Sequence, residues 1–515
     1  LYISRFHIRN FRSIPELTIV PRTVDGRQMV VLIGENNSGK TNVMEALHWT
    51  LNPERSLQSL EVTDQDFYAP GEPLVIEVEF SDPDMADHAL FADYFDLDPY
   101  EEQKEKLNLR FQCIYNPDTE EFEKTLSINK RQPRTMTARE RRAIPFYFLK
   151  ANRDASDTRV NPYTLFGRLI SSIHIDRQTP SMTAALEEAN RALMGNREVV
   201  TIADELARIA RRTIPIAARD SVLTMGISSS EPNELKRSIR LYLRETDGSR
   251  PLPLDRFGLG TQSTVVIATF IAFARRGELK NATLGIDEPE SHLHPQAQRH
   301  MLSDLQTLSQ TNQVWIATHS TQFLACTDPR QLVLLRKREG ATMACQLPGD
   351  FPSEVLSRIP PAMDPGVSEV FFARGVALAA SEMEAAALPL LARALDDPSL
   401  DFDRLGLSIV AAGDPEQSKA LRTLLSAFEI PSLFTTSLWK DRDFEEIVSA
   451  ESDPAVRARL CEVLSLSATT SAGNIASALK ARNSRVMGQR LAEILCIGIP
   501  ETIQEAIREM ANLGR

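Results

Sequence analysis

The chain has 515 residues, 42% hydrophobic and 25% charged, an ordinary globular composition on a length that implies roughly two to four domains. No stretch approaches the roughly 18 apolar residues of a membrane span, and the opening LYISRFHIRNF alternates like a strand with no signal-peptide run, so the expected setting is the cytoplasm, away from membranes. A formal charge of −12 leaves any nucleic-acid contact to a local basic patch, and Cys113, Cys326, Cys345, Cys461 and Cys496, without metal-ligand spacing, read as isolated buried thiols of a reducing compartment.

In chain order, strand-like runs at Tyr2–Ile8, Val30–Ile33 and Leu74–Phe80 surround one helix opening near Lys40. The stretch from Asp82 to Glu105 is acidic and aromatic, Leu107–Ile128 reads as a hairpin around NPDTE, and Pro145–Leu149 reads as a strand. From about Ser171 to Leu243 apolar residues recur at helical spacing, as at Ile202, Leu206, Ile209 and Ala210, which predicts a helical insertion. Strand and helix alternation returns from Leu252 to Leu335, with Thr283–Ile286 and Gln313–Thr318 as buried parallel strands. The proline-bearing stretch Pro348–Pro365 reads as a linker. Beyond it, strands at Gly375–Ala379, Leu407–Ala411 and Ser432–Thr436 alternate with helices at Glu382–Ala394 and Gln417–Phe428, again α/β, before a mostly helical tail from about Pro454.

The chemistry concentrates in three segments. Gly34-Glu-Asn36-Asn37-Ser38-Gly39-Lys40-Thr41 fits G-x-x-x-x-G-K-[ST] between the apolar VVLI and the helix TNVMEALHWTL, the context of a phosphate-binding loop. There Lys40 would pair the outer phosphates of ATP and Thr41 would reach Mg²⁺. LGIDEPESHLHP ends a strand in Asp287, suited to the Mg²⁺ shell, and Glu288, suited to orienting or deprotonating the attacking water. VWIATHS places His319 just past another buried strand, where an imidazole could bond the γ-phosphate. A fourth segment, Arg256-Phe-Gly258-Leu-Gly260-Thr-Gln-Ser, opens a helix with glycines and suits a phosphate contact.

GENNSGKTN, FGLGTQS, DEPESHLHP and ATHS, in this order, resemble the ABC ATPases of the RecF and SMC type. The resemblance implies a head-to-tail pair of lobes sandwiching two ATP molecules, in a homodimer or a higher homo-oligomer, with Gly258 and Gly260 as the signature segment across the dimer. It also implies that Arg12 of NFRS is aimed at the phosphates and that Gln65 of DQDF senses Mg²⁺, although an exposed structural arginine fits position 12 equally. The domain order resembles the OLD (overcoming lysogenization defect) family, GajA-like proteins included. On that resemblance the fold is α/β: an ABC-type P-loop ATPase over 1–170 and 251–346, a helical insertion for dimerisation over 171–250, a Toprim-like domain over 366–453 and a helical segment over 454–515.

Family Toprim nucleases carry a glutamate and a glycine after the first strand and an Asp-x-Asp later; this chain reads Ala380-Ser381 and Ser437-Leu-Trp439 there. Hydrolysis of a phosphodiester by Mg²⁺ needs converging carboxylates, so the expected nuclease site is lost, with Glu384, Asp414, Asp441, Asp443 and Glu445 as the acids left for another register. Two basic clusters, Lys130 to Arg142 and Arg208, Arg211, Arg212 with Arg219, are open to DNA contact, dimer pairing or simple solvation. The leading expectation is an ATP-dependent sensor or scaffold in anti-phage defence that binds DNA or a phage product and controls a separate effector protein. The rivals are an ATP-regulated Mg²⁺-dependent DNA endonuclease and a DNA-maintenance ATPase of the RecF kind.

Overall fold

The computed structural model describes residues 1–52, 57–97, 105–116, 120–129, 133–151, 153, 179–195, 197, 241–243, 250–275, 282–359, 368–411, 414–439 and 442–514. Its strands are, in chain order, β1 (Tyr2–Phe11), β2 (Ile14–Ile19), β3 (Thr23–Val24), β4 (Arg27–Ile33), β5 (Leu74–Ser81), β6 (Asp96–Leu97), β7 (Glu105–Asn116), β8 (Glu121–Ile128), β9 (Arg134–Thr135) and β10 (Phe146–Leu149). There follow β11 (Tyr242–Leu243), β12 (Leu252–Pro253), β13 (Thr283–Asp287), β14 (Gln313–Ala317), β15 (Leu332–Arg338), β16 (Ala341–Cys345), β17 (Gly375–Ala379), β18 (Leu407–Ala411) and β19 (Ser432–Phe434).

An antiparallel sheet runs in the order β2-β1-β5-β7-β8-β9, and a second sheet runs β10-β13-β14-β4-β15-β16, in which β13, β14, β4 and β15 are parallel neighbours. The parallel strands are built on apolar runs, VVLI in β4, LGI in β13, VWIA in β14 and LVLL in β15, where both faces are covered; every residue of β13 and β14 is buried. The helix Lys40–Leu51 lies between the sheets. Its Trp49 meets Phe11 and Phe111 of the antiparallel sheet edge-on at 5.0 and 6.2 Å, while a Cβ added to Gly285 of β13 would sit 2.9 Å from Cε of Met44. Burial on both sides explains why TNVMEALHWTL lacks a broad polar stripe.

The chain divides into two compact units, one of Leu1–Phe148, Asn281–Glu290 and His294–Arg515, the other of Leu149–Lys280 with Ser291–Leu293. The C-terminal α/β segment thus shares a unit with the two sheets. It contains the parallel sheet β18-β17-β19, the helices Glu382–Ala394 and Pro415–Ala427, and then the helices Phe444–Glu451, Pro454–Leu464, Ala472–Ala481, Arg485–Leu495 and Glu501–Ala511. The helix Arg485–Leu495 crosses Glu382–Ala394 at Gly488, where a Cβ would come within 2.3 Å of the Met383 carbonyl oxygen. In the other unit the described helices include Thr179–Met194 and Leu259–Arg275; Ile202, Leu206, Ile209, Ala210 and Arg208 to Arg219 lie outside the described residues.

One expectation gains detail and one needs correction. The stretch read as a linker carries a helix, Ser353–Arg358, whose Arg358 pairs with Glu416; Pro352 occupies its N-cap, where no N–H is needed. The cysteines are not uniformly buried: Cys113 and Cys461 are, but Cys326 and Cys496, each just past a helix end, are exposed. Among the described residues no helix is long and apolar enough to cross a membrane.

Candidate functional site

From the end of β4 the backbone passes through Gly34 (φ 147°), Asn37 (φ 63°) and Gly39 (φ 103°) into the helix that starts at Lys40. Space as well as φ demands the glycines. A Cβ on Gly34 would lie 2.1 Å from the Leu335 carbonyl oxygen of β15, and one on Gly39 would lie 2.5 Å from Oγ1 of Thr342. Asn36 and Asn37 are exposed on the loop, while Ser38 and Lys40 are buried. The Lys40 ammonium donates to the carbonyl oxygens of Gly34 and Glu35, both at 2.9 Å. Burial pushes its pKa down to about 8, opposed by the nearby carboxylates of Asp287, Glu288 and Glu290.

The loops after β4, β13 and β14, three adjacent parallel strands, bring the remaining residues to Lys40, at the carboxyl ends where α/β sheets hold ligands. Thr41 Oγ1 donates to Asp287 Oδ2 at 3.1 Å. Glu288 follows in a left-handed conformation (φ 46°) pinned by its N–H donating to the Ala317 carbonyl at 2.7 Å; such strain in a non-glycine residue costs about 1–3 kcal/mol and persists where neighbours impose it. His319 Nε2 lies 3.9 Å from Glu288 Oε1. Burial, helped by Lys40 and opposed by Glu288, holds the imidazole below its ordinary pKa. The Phe372 ring stacks on His319 with centroids 6.3 Å apart.

Arg12 (φ 51°) is engaged within the chain. Its Nε donates to Asp66 at 2.9 Å, its Nη1 to Asn42 in the first turn of the loop helix at 3.4 Å, and its guanidinium lies 4.9 Å from the Phe11 ring centroid. Gln65 is exposed in the turn Asp64–Asp66. In the other unit, Gly258 has open space around it, whereas a Cβ on Gly260 would come 3.0 Å from the His292 carbonyl oxygen. Gln262 donates to the Phe257 carbonyl at 2.7 Å, and Ser263 accepts from Arg153 Nε at 3.0 Å, so both side chains have partners inside the chain.

Several residues of the site carry no motif signal of their own. Thr342 donates its hydroxyl proton to the Ser38 carbonyl at 3.0 Å and so accepts from Ser13 at 2.8 Å, and Asn42 donates to Ser13 at 2.9 Å. Glu290 accepts the Thr318 hydroxyl and the His319 N–H through one oxygen, both at 2.7 Å. Its only trace in the sequence is a third carboxylate close behind Asp287 and Glu288.

The family model of the AAA ATPase domain matches residues 1–324. The chain belongs to the AAA ATPase domain family. An OLD nuclease of Thermus scotoductus is 26% identical over 348 residues, 65% of this chain and 62% of that protein. The Old nuclease of Escherichia phage P2 is 24% identical over 373 residues, 66% of this chain and 60% of that protein. The chain thus matches about three fifths of the length of these curated relatives, and with them it stands among the OLD-family ATPases. Among solved structures, an Smc head domain with an extended coiled coil bound to the C-terminal domain of ScpA, derived from Pyrococcus furiosus, is 13% identical. It aligns with TM-score 0.41 over 69% of this chain and 98% of its own. The SMC head domain from Thermotoga maritima is 14% identical and aligns with TM-score 0.35 over 68% and 100%.

In this OLD-family ATPase two of the C-terminal acids, Glu384 and Glu445, lie beside one another across Ser381, while Asp414 and Asp443 serve other contacts. Glu384 is fully buried: Oε1 accepts from the Trp439 indole N–H at 2.8 Å and Oε2 from the Ala380 N–H at 2.9 Å. Burial raises its pKa, and the bonds from Thr435, Trp439 and Ala380 oppose that. Glu445, also buried, accepts from the Ser381 hydroxyl at 3.3 Å. Asp414 caps the helix Pro415–Ala427, and Asp443 pairs with Lys480. Asp441 lies outside the described residues. The Ser437 hydroxyl donates to the Phe434 carbonyl at 2.6 Å and is spent locally.

The basic cluster near residue 134 is partly consumed as well. Arg134 pairs with Glu140 and lies 4.2 Å over the Tyr94 ring, and Arg141 donates to the Asn52 carbonyl at 3.0 Å. Arg139 and Arg142 are exposed; Lys130 and Arg131 are outside the described residues.

Proposed function

We propose that this OLD-family ATPase binds and hydrolyses ATP at a site completed by a second copy, and serves as an ATP-dependent sensor or scaffold. In this reading it binds DNA or a phage product and controls a separate effector protein in anti-phage defence, without nuclease chemistry of its own. The observation that carries it is the convergence of Lys40, Thr41, Asp287, Glu288 and His319 on one end of three parallel strands.

In this reading the Gly34–Gly39 loop, Asn36, Asn37 and Ser38 included, cradles the phosphates and Lys40 pairs with them. The glycine cradle fits that role because no side chain could occupy it. Thr41 and Asp287 offer the neutral and anionic oxygens a hard cation prefers and would hold Mg²⁺, which when bound offsets phosphate charge. Glu288 orients the attacking water and accepts its proton, and His319 contacts the γ-phosphate. Arg12, once released from Asp66, and the helix start at Gly258 and Gly260 of a second copy add positive potential. Calorimetry with ATP tests the assignment: Lys40→Ala should abolish binding, and unchanged affinity would sink it.

The relatives are named nucleases, which leaves a second reading, an ATP-regulated Mg²⁺-dependent DNA endonuclease. Against it stands the placement of Glu384. A Toprim-type site needs several carboxylates free to face a cation, and here Glu384 is buried against the indole of Trp439, with Ala380 and Ser437 at the other acidic positions of the motif. Incubation of supercoiled DNA with the chain, ATP, and Mg²⁺ or Mn²⁺ should leave it intact. Nicking abolished by Glu384→Ala or Asp443→Ala would promote the endonuclease reading.

A further inference from the structure

Glu290 lies two residues past Glu288, before the helix Pro295–Leu308. Its Oε1 takes both the Thr318 hydroxyl and the His319 backbone N–H at 2.7 Å. Thr318 in turn accepts the Ser320 N–H at 2.9 Å, while the Ser320 hydroxyl donates to Gln298 at 2.6 Å and caps the helix Thr321–Ala325. The side chain of Glu290, in the loop after β13, therefore holds the turn that carries His319 through one carboxylate oxygen, beside the bond from the Glu288 N–H to the Ala317 carbonyl.

The energetics make that tie firm. A donor left unpaired in a buried site carries the full penalty of its lost hydration, and removal of this carboxylate would strand two at once. The second oxygen, Oε2, is buried, and among the described residues no other residue donates to it. Burial holds the carboxyl above its ordinary pKa, with the neighbouring Glu288 acting in the same direction. Glu290 also acts electrostatically on Lys40, together with Asp287 and Glu288. A side chain needed only to fill space would not accept this desolvation.

We propose that Glu290 is a positioning residue for hydrolysis: by gripping Thr318 and the His319 amide it sets the imidazole opposite Glu288. The inference rests on the reading of Glu288 and His319 as hydrolytic residues. It separates the geometry of turnover from ATP binding, because the nucleotide is gripped by Lys40 and Thr41 on a different strand's loop.

The test compares Glu290→Ala with Glu290→Gln, which keeps an amide oxygen for both donors. The alanine variant should lose about 10- to 100-fold in single-turnover rate, the scale of an ångström-level misplacement, with ATP affinity by calorimetry changed by less than about threefold. The glutamine variant should recover most of the rate. In a His319→Ala background, Glu290→Ala should cost little more, since the two changes remove one unit. Wild-type turnover by Glu290→Ala, equal loss in alanine and glutamine variants, or fully additive loss with His319→Ala would each overturn the assignment. Should the alanine variant not fold, Thr318→Val removes one of the two donors and should slow turnover while binding persists; an unchanged rate counts against the role. The ring C–H resonance of His319 gives a readout that needs no turnover and so separates this inference from the ATPase reading. Displacement in Glu290→Ala but not in Glu290→Gln supports the grip, and a stationary resonance in the alanine variant refutes it.

Discussion

Lys40 is buried enough for its ammonium to titrate near pH 8, despite three carboxylates that favour the charge. The sign for ATP follows directly. Phosphates bind the ammonium and not the amine, so the free site is charged below that value and must take up a proton on binding above it. Affinity should weaken by up to about tenfold per pH unit above the free pKa, and calorimetry in buffers of different ionisation heat should register proton uptake there. A flat affinity with no proton uptake would contradict the burial argument. Glu288 makes the complementary case. Glu288→Gln keeps the shape and leaves Asp287 to its oxygen partner Thr41, so ATP should stay bound while hydrolysis falls by about 10²-fold or more; normal turnover would remove Glu288 from the chemistry. At this scale Lys40, Thr41, Asp287 and Glu288 were legible because loop and strand chemistry force them to lie at fixed offsets from apolar runs. Thr342, Ser13 and Glu290 were not, because their roles arise from contacts across the chain, such as the bond of Thr342 to the Ser38 carbonyl, that no local spacing encodes.

The elements themselves followed their hydrophobic patterns closely. Runs such as VVLI, LGI and VWIA became parallel strands because continuous apolar sequence suits two covered faces. The segment after Pro348 holds the helix Ser353–Arg358 because proline is permitted at a helix start, and Pro348 and Pro352 flank a turn that leads into it. In the turn after β19 the sequence showed Trp439 but not the contact it makes. Trp439 is a buried donor whose N–H meets Glu384. Its removal has a pH-dependent cost. Glu384 titrates above its unfolded value, so its stability contribution is full below the unfolded pKa and is lost as pH rises through the folded one. Trp439→Phe removes a bond that favours the ionised form and should raise that pKa further. Denaturant unfolding should therefore give a loss of about 1–3 kcal/mol that is larger at pH 8 than at pH 5; a pH-independent loss would mean that only ring volume matters.

Across the whole unit, the nucleotide loop and the C-terminal segment meet at β15. Leu335 supplies the carbonyl that excludes a side chain from Gly34. The next residue, Arg336, reaches the other way, donating to the Ala373 carbonyl at 2.6 Å and to the Glu429 carbonyl at 3.4 Å. Arg374 pairs with Glu35 of the loop at 3.3 Å, but both side chains are more than half exposed, and such a pair is worth about 0–1 kcal/mol. The two links should therefore differ. Arg336→Ala should increase hydrogen exchange over residues 369–374 and around 429 and weaken the response of that segment to ATP, whereas Arg374→Ala should leave exchange nearly unchanged; equal effects would mean that the surface pair carries the connection. That β15 serves both the loop and the segment behind it was invisible in the sequence, where positions 34, 336, 373 and 429 are far apart. Inheritance should nonetheless register the joint. Arg336 grips two main-chain oxygens that any residue at 373 or 429 would offer, so Arg336 itself should persist from one descendant to the next while those positions, and the pair Glu35 and Arg374, vary freely.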